Sequence, residues 1–378
     1  MLRVLVVSGI WPPDPGGPAS HAPEAAGYLA ARGHRVEVVT TAAGPPSAAS
    51  HPVHWASRRI PAGLRHLRTA ELIRSAARRC DVVYSTGMEG RSALGSVLAG
   101  TPLVQRLTGD PAYERSLRFG LTAAPLDRFQ HDRGGGIALL RQLRDRSLAR
   151  AARIVCPSAA LRDIVVGWGV EPERVEVLPH AVSAPALDGR DELRGRFGFD
   201  GPTLVYGGRF VRQKALDVAL QALRPNQDVA LVLAGDGPER PRIEGLAREL
   251  GLEGRTCFLG VQPRRSMFEL LCAADAMLLS STWESFGLVA AEALAVGTPV
   301  LSPAVGGVAE VLEDGRNGLL VPRSDPQALA AAIGRYFGDP GLQESLRQAA
   351  AESAGRFAPE RIYARLERIL VAAADRRR

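Results

Sequence analysis

The sequence predicts an α/β protein made of two doubly wound halves. Three observations carry this. Short, apolar, β-branched runs alternate with helix-like runs along the whole chain. The alternation pauses in a proline- and glycine-marked stretch near residues 178–190 and then restarts. A length of 378 residues suits two domains of ordinary size. Short apolar strands separated by helices imply parallel sheets covered on both faces.

In the first half the strand candidates are Val4 to Val7, Val36 to Thr40, Val82 to Tyr84, Leu103 to Leu107 and Ile154 to Cys156. Pro23 to Arg32, Ala70 to Arg79, Ile137 to Ala152 and Ala160 to Trp168 read as helices between them. The segment from Ala112 to Gly136, with its three successive glycines, reads as a long open loop. Pro179, Ala181, Pro185 and Gly189 mark the linker. The second half offers Leu204 to Tyr206, Ala230 to Ala234, Cys257 to Leu259, Ala276 to Leu279, Pro299 to Leu301 and Leu319 to Val321 as strands. Its helices are Leu216 to Leu223, Arg240 to Leu250, Ser266 to Ala273, Leu288 to Val296, Val308 to Leu312 and Pro326 to Phe337. An amphipathic segment, Pro359 to Ala373, follows the second sheet. Domains of 1–182 and 183–357 and a terminal helix within 358–378 are expected. Ligands bind at the carboxyl ends of parallel strands, so two such domains make a natural cleft.

Composition narrows the function classes. The four cysteines are scattered, which argues against a disulfide framework or a zinc site and fits a cytoplasmic protein. No apolar run is long enough to span a bilayer, and Leu2 to Ile10 reads as a first strand rather than a signal peptide. The net charge is +7, with arginine clusters between Arg58 and Arg79 and between Arg141 and Arg153. These fit a surface that meets anionic lipid, as a peripheral contact at the inner face of a membrane, or an anionic acceptor; the alternative is solvated helix faces. Aromatic residues make up only 5%, which disfavours nucleic-acid binding. No Gly-x-Gly-x-x-Gly follows the first strand, which disfavours a nicotinamide dehydrogenase.

Four segments carry candidate chemistry. Lys214 is the one lysine among 47 basic residues, and it closes the segment Tyr206-Gly207-Gly208-Arg209-Phe210-Val211-Arg212-Gln213-Lys214. Glycines let backbone approach a ligand, and a compact ammonium reaches a phosphate oxygen differently from a guanidinium. Arg209 and Lys214 together suit a diphosphate; the alternative is a surplus surface lysine. Gly16-Gly17, after the first strand and before a helix, would present backbone N–H groups to an anion, or make an ordinary turn. Glu284 and Glu292 flank Phe286-Gly287-Leu288. Both suit hydroxyl recognition, and Glu292 on an apolar helix needs either a partner or solvent. Asp110, after Thr108-Gly109, either orients an acceptor hydroxyl or caps the next segment. The histidines have no metal spacing and there is no Asp-x-Asp, so Arg209 and Lys214 are the expected charge for a leaving group, with no metal and no cofactor.

Together these segments resemble glycosyltransferase family 4, the retaining enzymes with two facing Rossmann-like domains known as the GT-B fold. The likeness covers nearly the whole chain. It rests on Gly208-Arg209 to Lys214, Glu284 to Glu292, Gly33-His34-Arg35-Val36, Gly306-Gly307-Val308 and Asn317-Gly318-Leu319. The resemblance implies that Arg209 and Lys214 hold a donor diphosphate, that Gly208 lies beside it, and that Glu292 binds ribose. It implies that Glu284 contacts the donor sugar, that the Phe286, Gly287 and Leu288 backbone lies near phosphate, and that Gly16 and Gly17 cover it from the first domain. The last helix would cross back to the first domain. Three departures stand out: Ala215 replaces the glycine that usually follows the lysine, Gly109 replaces a common histidine, and Pro179-His180-Ala181 replaces Pro-Asn-Gly. The implied reaction moves a hexose-type sugar from a UDP- or GDP-sugar to an acceptor hydroxyl. The alternatives are a nucleotide-sugar epimerase on the same fold and a non-catalytic sugar-nucleotide-binding subunit.

Overall fold

The computed structural model describes residues 1–14, 18–47 and 49–375. They form two compact units: Met1–Ala181 with the chain from Glu360 onward, and Val182–Pro359. Gly16 and Gly17 lie outside the described residues.

The first unit holds a seven-stranded sheet of β1 (Arg3–Ser8), β2 (Arg35–Ala42), β3 (Val53–Ser57), β4 (Val82–Ser85), β5 (Leu103–Arg106), β6 (Arg153–Cys156) and β7 (Val175–Val177). Its helices are α1 (Pro18–Ala31), α2 (Ala62–Ala77), α3 (Glu89–Ala99), α4 (Pro111–Arg118), α5 (Leu126–Phe129), α6 (Gly135–Leu148) and α7 (Ala159–Gly167). All strand pairs are parallel, in the order β3-β2-β1-β4-β5-β6-β7. The central strands β4 and β5 are buried at every position, as strands covered by helices on both faces must be.

The second unit holds β8 (Thr203–Gly207), β9 (Ala230–Ala234), β10 (Thr256–Gly260), β11 (Ala276–Leu278), β12 (Val300–Pro303) and β13 (Gly318–Val321), parallel and in the order β10-β9-β8-β11-β12-β13. Its helices are α8 (Arg190–Phe197), α9 (Leu216–Leu223), α10 (Arg240–Glu249), α11 (Arg264–Ala273), α12 (Leu288–Ala295), α13 (Val308–Val311), α14 (Pro326–Gly338) and α15 (Pro340–Ser353). One continuous apolar core fills this unit around Leu204, Leu231, Leu278 and Leu301.

The last helix, α16 (Pro359–Asp375), completes the core of the first unit. Its buried residues Ile362, Tyr363, Leu366, Ile369, Leu370 and Ala373 recur at helical spacing. His34 explains part of the Gly33-His34 pattern. Its Nδ1 accepts from the Leu2 N–H at 3.1 Å and its Nε2 meets Glu367 Oε1 of α16 at 2.9 Å, so the ring ties β1 to the last helix. Tyr363 donates to Glu24 Oε2 at 2.9 Å, and Arg365 donates to the Val177 carbonyl at 2.7 Å.

The expected open loop at 112–136 is helical in part, with turns and coil at 119–125 and 130–134. Pro111–Arg118 and Leu126–Phe129 are helical, and Phe129 is fully buried against Ala112 and Ile137. Proline at the first turn of α4 starts that helix without losing a hydrogen bond.

A buried histidine, His21, and a half-buried one, His180, give the first unit a pH dependence. His21 Nε2 lies 2.6 Å from the Tyr84 hydroxyl. Burial, then the Arg106 guanidinium and His180, hold His21 well below its ordinary pKa. Burial and Arg106 do the same to His180. The unfolded chain takes up both protons as pH falls through about 6.5, and the folded chain does not. Stability is therefore present above that pH and is lost as pH falls toward 5, by up to about 1.4 kcal/mol per pH unit for each histidine. Chemical unfolding of the chain and of His21→Gln at pH 5, 6 and 7 checks this. The variant is expected to lose about one proton's worth of slope, and an unchanged slope would remove His21 from the account.

Candidate active site

The chemistry-bearing segments of the second unit converge at the carboxyl ends of its strands. The sheet runs outward from β8 through β9 to β10 on one side and from β11 through β12 to β13 on the other. The crossovers reverse direction between the neighbours β8 and β11, and a reversal of that kind leaves a crevice at the strand ends. Lys214 follows β8, Glu284 follows β11, and Lys214 Nζ donates to Glu284 Oε1 across that point. The two side chains are 20% and 13% exposed, close enough to solvent to meet a ligand and sheltered enough for their charge to count.

Local structure holds this pair on both sides. The Ser280 hydroxyl donates to the Lys214 carbonyl at 2.8 Å, and the Thr282 N–H donates to the Gln213 carbonyl at 2.8 Å. Gln213 Nε2 donates to the Trp283 carbonyl at 2.7 Å. Ser281 Oγ donates to Glu284 Oε1 at 2.7 Å, and the Gly307 N–H donates to the Glu284 carbonyl at 2.8 Å. Oε1 of Glu284 thus takes two hydrogen bonds, and Oε2 takes none among the described residues.

The Gly208–Phe210 turn is fixed by the Gly235-Asp236-Gly237 turn that follows β9. Gly208 donates to the Ala234 carbonyl at 3.0 Å and Phe210 to the Asp236 carbonyl at 2.9 Å. A Cβ on Gly235 would lie 1.8 Å from the Gly208 carbonyl oxygen, so only glycine allows the two turns to meet. Tyr206 braces the turn from beneath, its hydroxyl donating to the Arg209 carbonyl at 3.2 Å. Burial, and then the Glu284 charge, raise the pKa of that hydroxyl, so it stays a donor. The Arg209 side chain is exposed, and among the described residues its guanidinium meets no carboxylate. Lys214 is followed by Ala215 at φ 43°, a left-handed position that favours glycine.

Glu292 lies on α12, 9% exposed, with Arg264 Nε of α11 at 3.7 Å from its Oε1. The helix begins at Gly287, φ 86°, so the Phe286-Gly287-Leu288 backbone is a helix N-terminus, the end that attracts negative charge. The Phe286 ring packs edge-on against Phe357 at 5.6 Å.

In the first unit Asp110 occupies a different setting. It is 1% exposed and is the N-cap of α4: its Oδ1 accepts from the Ala112 and Tyr113 N–H groups at 2.9 and 3.4 Å. Its Oδ2 pairs with Arg144 Nη1 at 2.9 Å and accepts from Gln130 Nε2 at 3.0 Å. Both oxygens are thus taken up inside the unit. Gly109 beside it faces the Glu114 carboxylate, whose Oε1 would lie 2.7 Å from a Cβ there, so a side chain at this position would require the exposed Glu114 to shift.

The cysteines are free, and burial pushes Cys80 and Cys156 up to about 12, so neither is a nucleophile. Among the described residues no group of three or more His, Cys, Asp or Glu could hold a metal ion, and no helix is long and apolar enough to cross a membrane. The sequence does not single out Ser281 or Arg264, and Tyr206, at the head of the Lys214 segment, carries no assigned role there. Only Ser281, three residues before Glu284 at a strand end, carried a local signal.

Comparison with known proteins assigns both halves. Residues 15–184 match the model of Glycosyltransferase Family 4, and residues 190–353 match that of Glycosyl transferases group 1. The chain belongs to glycosyltransferase family 4. The D-inositol 3-phosphate glycosyltransferase of Xylanimonas cellulosilytica is 34% identical over 230 residues, 57% of this chain and 55% of that protein. The α-D-kanosaminyltransferase of Streptomyces kanamyceticus is 32% identical over 189 residues, 47% of this chain and 49% of that protein. The match thus spans about half the length of these curated relatives. Among solved structures, Anabaena HepE in complex with UDP and glucose has a TM-score of 0.79 at 22% identity, covering 98% of this chain and all of that one. Sucrose-phosphate synthase from Thermosynechococcus elongatus has a TM-score of 0.79 at 22% identity, covering 99% and 100%. The fold of this family 4 member is GT-B, as the resemblance implied, with the last helix packed in the first unit.

Proposed function

We propose that this family 4 member transfers a hexose-type sugar from a UDP- or GDP-sugar to an acceptor hydroxyl with retention of the anomeric configuration. The observation that carries the reading is the Lys214–Glu284 pair at the point where the second sheet reverses direction. A diphosphate leaving group gains negative charge as the glycosidic bond breaks, and Lys214 with the free Arg209 guanidinium supplies positive charge for it. In this reading Gly208 and the N-terminus of α12 at Phe286, Gly287 and Leu288 meet the phosphates through backbone N–H groups. Glu284 Oε2 accepts from a hydroxyl of the donor sugar, and Glu292 accepts from the ribose. The donor binds to residues 183–357 and the acceptor to residues 1–182, with Gly16 and Gly17 keeping the phosphate role that the resemblance gives them. The charge on Arg209 and Lys214 makes a metal unnecessary. Asp110 serves as a residue that builds the first unit rather than as a group that meets the acceptor.

UDP is the first donor base to test, because the HepE structure of like fold is a complex with UDP and glucose. The names of the relatives span D-inositol 3-phosphate, kanosaminyl transfer and lipopolysaccharide core, so the acceptor is left out of the proposal.

Thermal unfolding with UDP, GDP, ADP and NAD tests the donor site. A ligand at about a hundred times its Kd adds about 2.7 kcal/mol to the native state. One nucleoside diphosphate is expected to raise the melting temperature, and Lys214→Ala to abolish the shift. No shift with any of them, or a shift with NAD alone, would overturn the reading. Release of nucleoside diphosphate that depends on an acceptor then separates a transferase from an epimerase or a binding subunit, and the anomeric coupling of the product reports retention.

A further inference from the structure

We propose that the face of the first unit built by α2, α3, α4 and α6 docks onto an anionic lipid bilayer. Charge is divided unevenly over the chain. Residues 182–359 carry 18 basic against 22 acidic side chains, a net of −4, while the remainder carries 29 against 18, a net of +11. Residues 58–150 alone hold 17 arginines against eight acidic residues, a net of +9. A chain that merely prefers arginine to lysine would spread the surplus over both units. Instead acidic side chains outnumber basic ones in the second unit, where several pair, as in Arg194 with Asp275, Arg240 with Glu244 and Arg265 with Glu269.

Exposed apolar side chains follow the same division. Ten of the fourteen large hydrophobic residues that stand exposed among the described residues fall between 64 and 143, while the second unit shows only Leu259 and Val261. On α3, Leu94, Val97 and Leu98 share one face at helical spacing. Leu67 stands out on α2, Phe119 just past α4, and Leu143 on α6.

The four helices adjoin. α2 packs on α3, α3 on α6, and α4 on α6. Arg115 of α4 reaches Glu89 of α3 at 3.3 Å. The α2 imidazole of His66 feels Arg91, Arg65, Arg115 and Arg118 together; burial and then these guanidinium groups hold its pKa down. Arg68 and Arg118 are exposed and meet no carboxylate among the described residues, and Arg118 lies over the Phe119 ring at 5.0 Å.

This combination selects its partner. A surface helix that mixes cations with bare leucine and phenylalanine lies in the headgroup boundary, the apolar tips inserted and the cations against lipid phosphate. A second copy of the chain would bring the same positive surplus face to face with itself, since a two-fold interface uses one patch twice. An anionic bilayer supplies the opposite charge, and each arginine near it raises partitioning about fivefold. The inference stands on this face alone and does not depend on the donor chemistry.

Flotation of the full chain tests it, with vesicles of phosphatidylcholine and with vesicles containing about one third phosphatidylglycerol. The chain is expected to float with the anionic vesicles, far less with pure phosphatidylcholine, and less as salt shortens the screening length. R68Q/R118Q is expected to lower the partition coefficient about 25-fold. L98S/F119S is expected to weaken binding to the same vesicles at low salt. All four side chains are exposed, so both variants should keep the parent melting temperature and the nucleoside diphosphate shift. Equal flotation with both vesicle types overturns the proposal. So does an arginine variant that floats like the parent, or an apolar variant that changes only a monomer–dimer equilibrium in sedimentation.

Discussion

Lys214→Ala is expected to lower donor turnover by about 10²–10³, the loss typical of removing one group that stabilises charge in a transition state. Release of nucleoside diphosphate from the donor, to water or to an acceptor, measures it. Two effects act together. The ammonium no longer faces the diphosphate, and the Glu284 carboxylate is left without its cation beside an anionic leaving group. The double variant K214A/E284Q separates them. If repulsion from Glu284 is part of the loss, the pair is non-additive and the double variant recovers donor affinity without recovering turnover. Lys214→Arg sharpens the test in a chain with 46 other basic residues, all arginine. The ammonium sits under Glu284 Oε1 at the end of a one-turn helix, Arg212–Lys214, and a planar guanidinium spreads its donors over a wider fork. That variant is expected to keep no more than about a tenth of the turnover, a loss of at least about 1.4 kcal/mol of transition-state stabilisation. Ser281 still serves Glu284 in both single variants, so their melting temperature should move little. A Lys214→Ala enzyme within threefold of the parent would sink the assigned role.

The strands of the second unit were legible because each is a short apolar run between turn residues, and the Lys214 and Glu284 segments stood out as candidates because they follow those strands. What the sequence concealed has physical causes. α3 went unseen because Gly90 and Gly95 weaken its helical pattern; Gly95 is there because a Cβ would lie 2.6 Å from Ile73 of α2. β3 is an edge strand with one buried residue, and β7 has only three residues, so neither shows an apolar run. α4 and α5 were read as loop because they are only eight and four residues long, too short for a helical period to show. The partners of the motif residues were hidden by distance along the chain. Arg264 precedes Glu292 by more than two helices' worth of turns, and Gly235 meets Gly208 only once the sheet has formed. Asp110 shows the same limit most clearly. Its role is decided by Arg144, 34 residues further on, and no local pattern announces that pairing.

Asp110→Ala is expected to destabilise the first unit by about 3 kcal/mol, the low end of the cost of breaking a buried ion pair, because Arg144 Nε keeps the half-exposed Asp145 carboxylate at 2.8 Å. Arg144 is only 3% exposed in its side chain, and its guanidinium stacks on Trp168 at 3.7 Å, so it cannot swing out to water without losing that contact. Trp168 in turn donates to Gln130 Oε1 at 2.9 Å while Gln130 Nε2 donates to Asp110, which closes a ring of four side chains. The substitution also removes the N-cap of α4, worth about 1 kcal/mol. Asp110→Asn keeps a good cap and a hydrogen-bonding side chain but not the charge, so it should fall between the parent and the alanine variant. Denaturant unfolding followed by Trp168 fluorescence, with the other tryptophans replaced, reports on this unit. Its midpoint should drop in the order parent, asparagine, alanine. Donor turnover per folded molecule should hold within a few fold below the new melting temperature. The opposite pattern, an unchanged midpoint with turnover lost in both variants, would make Asp110 a group that meets the substrate and return it to the catalytic set.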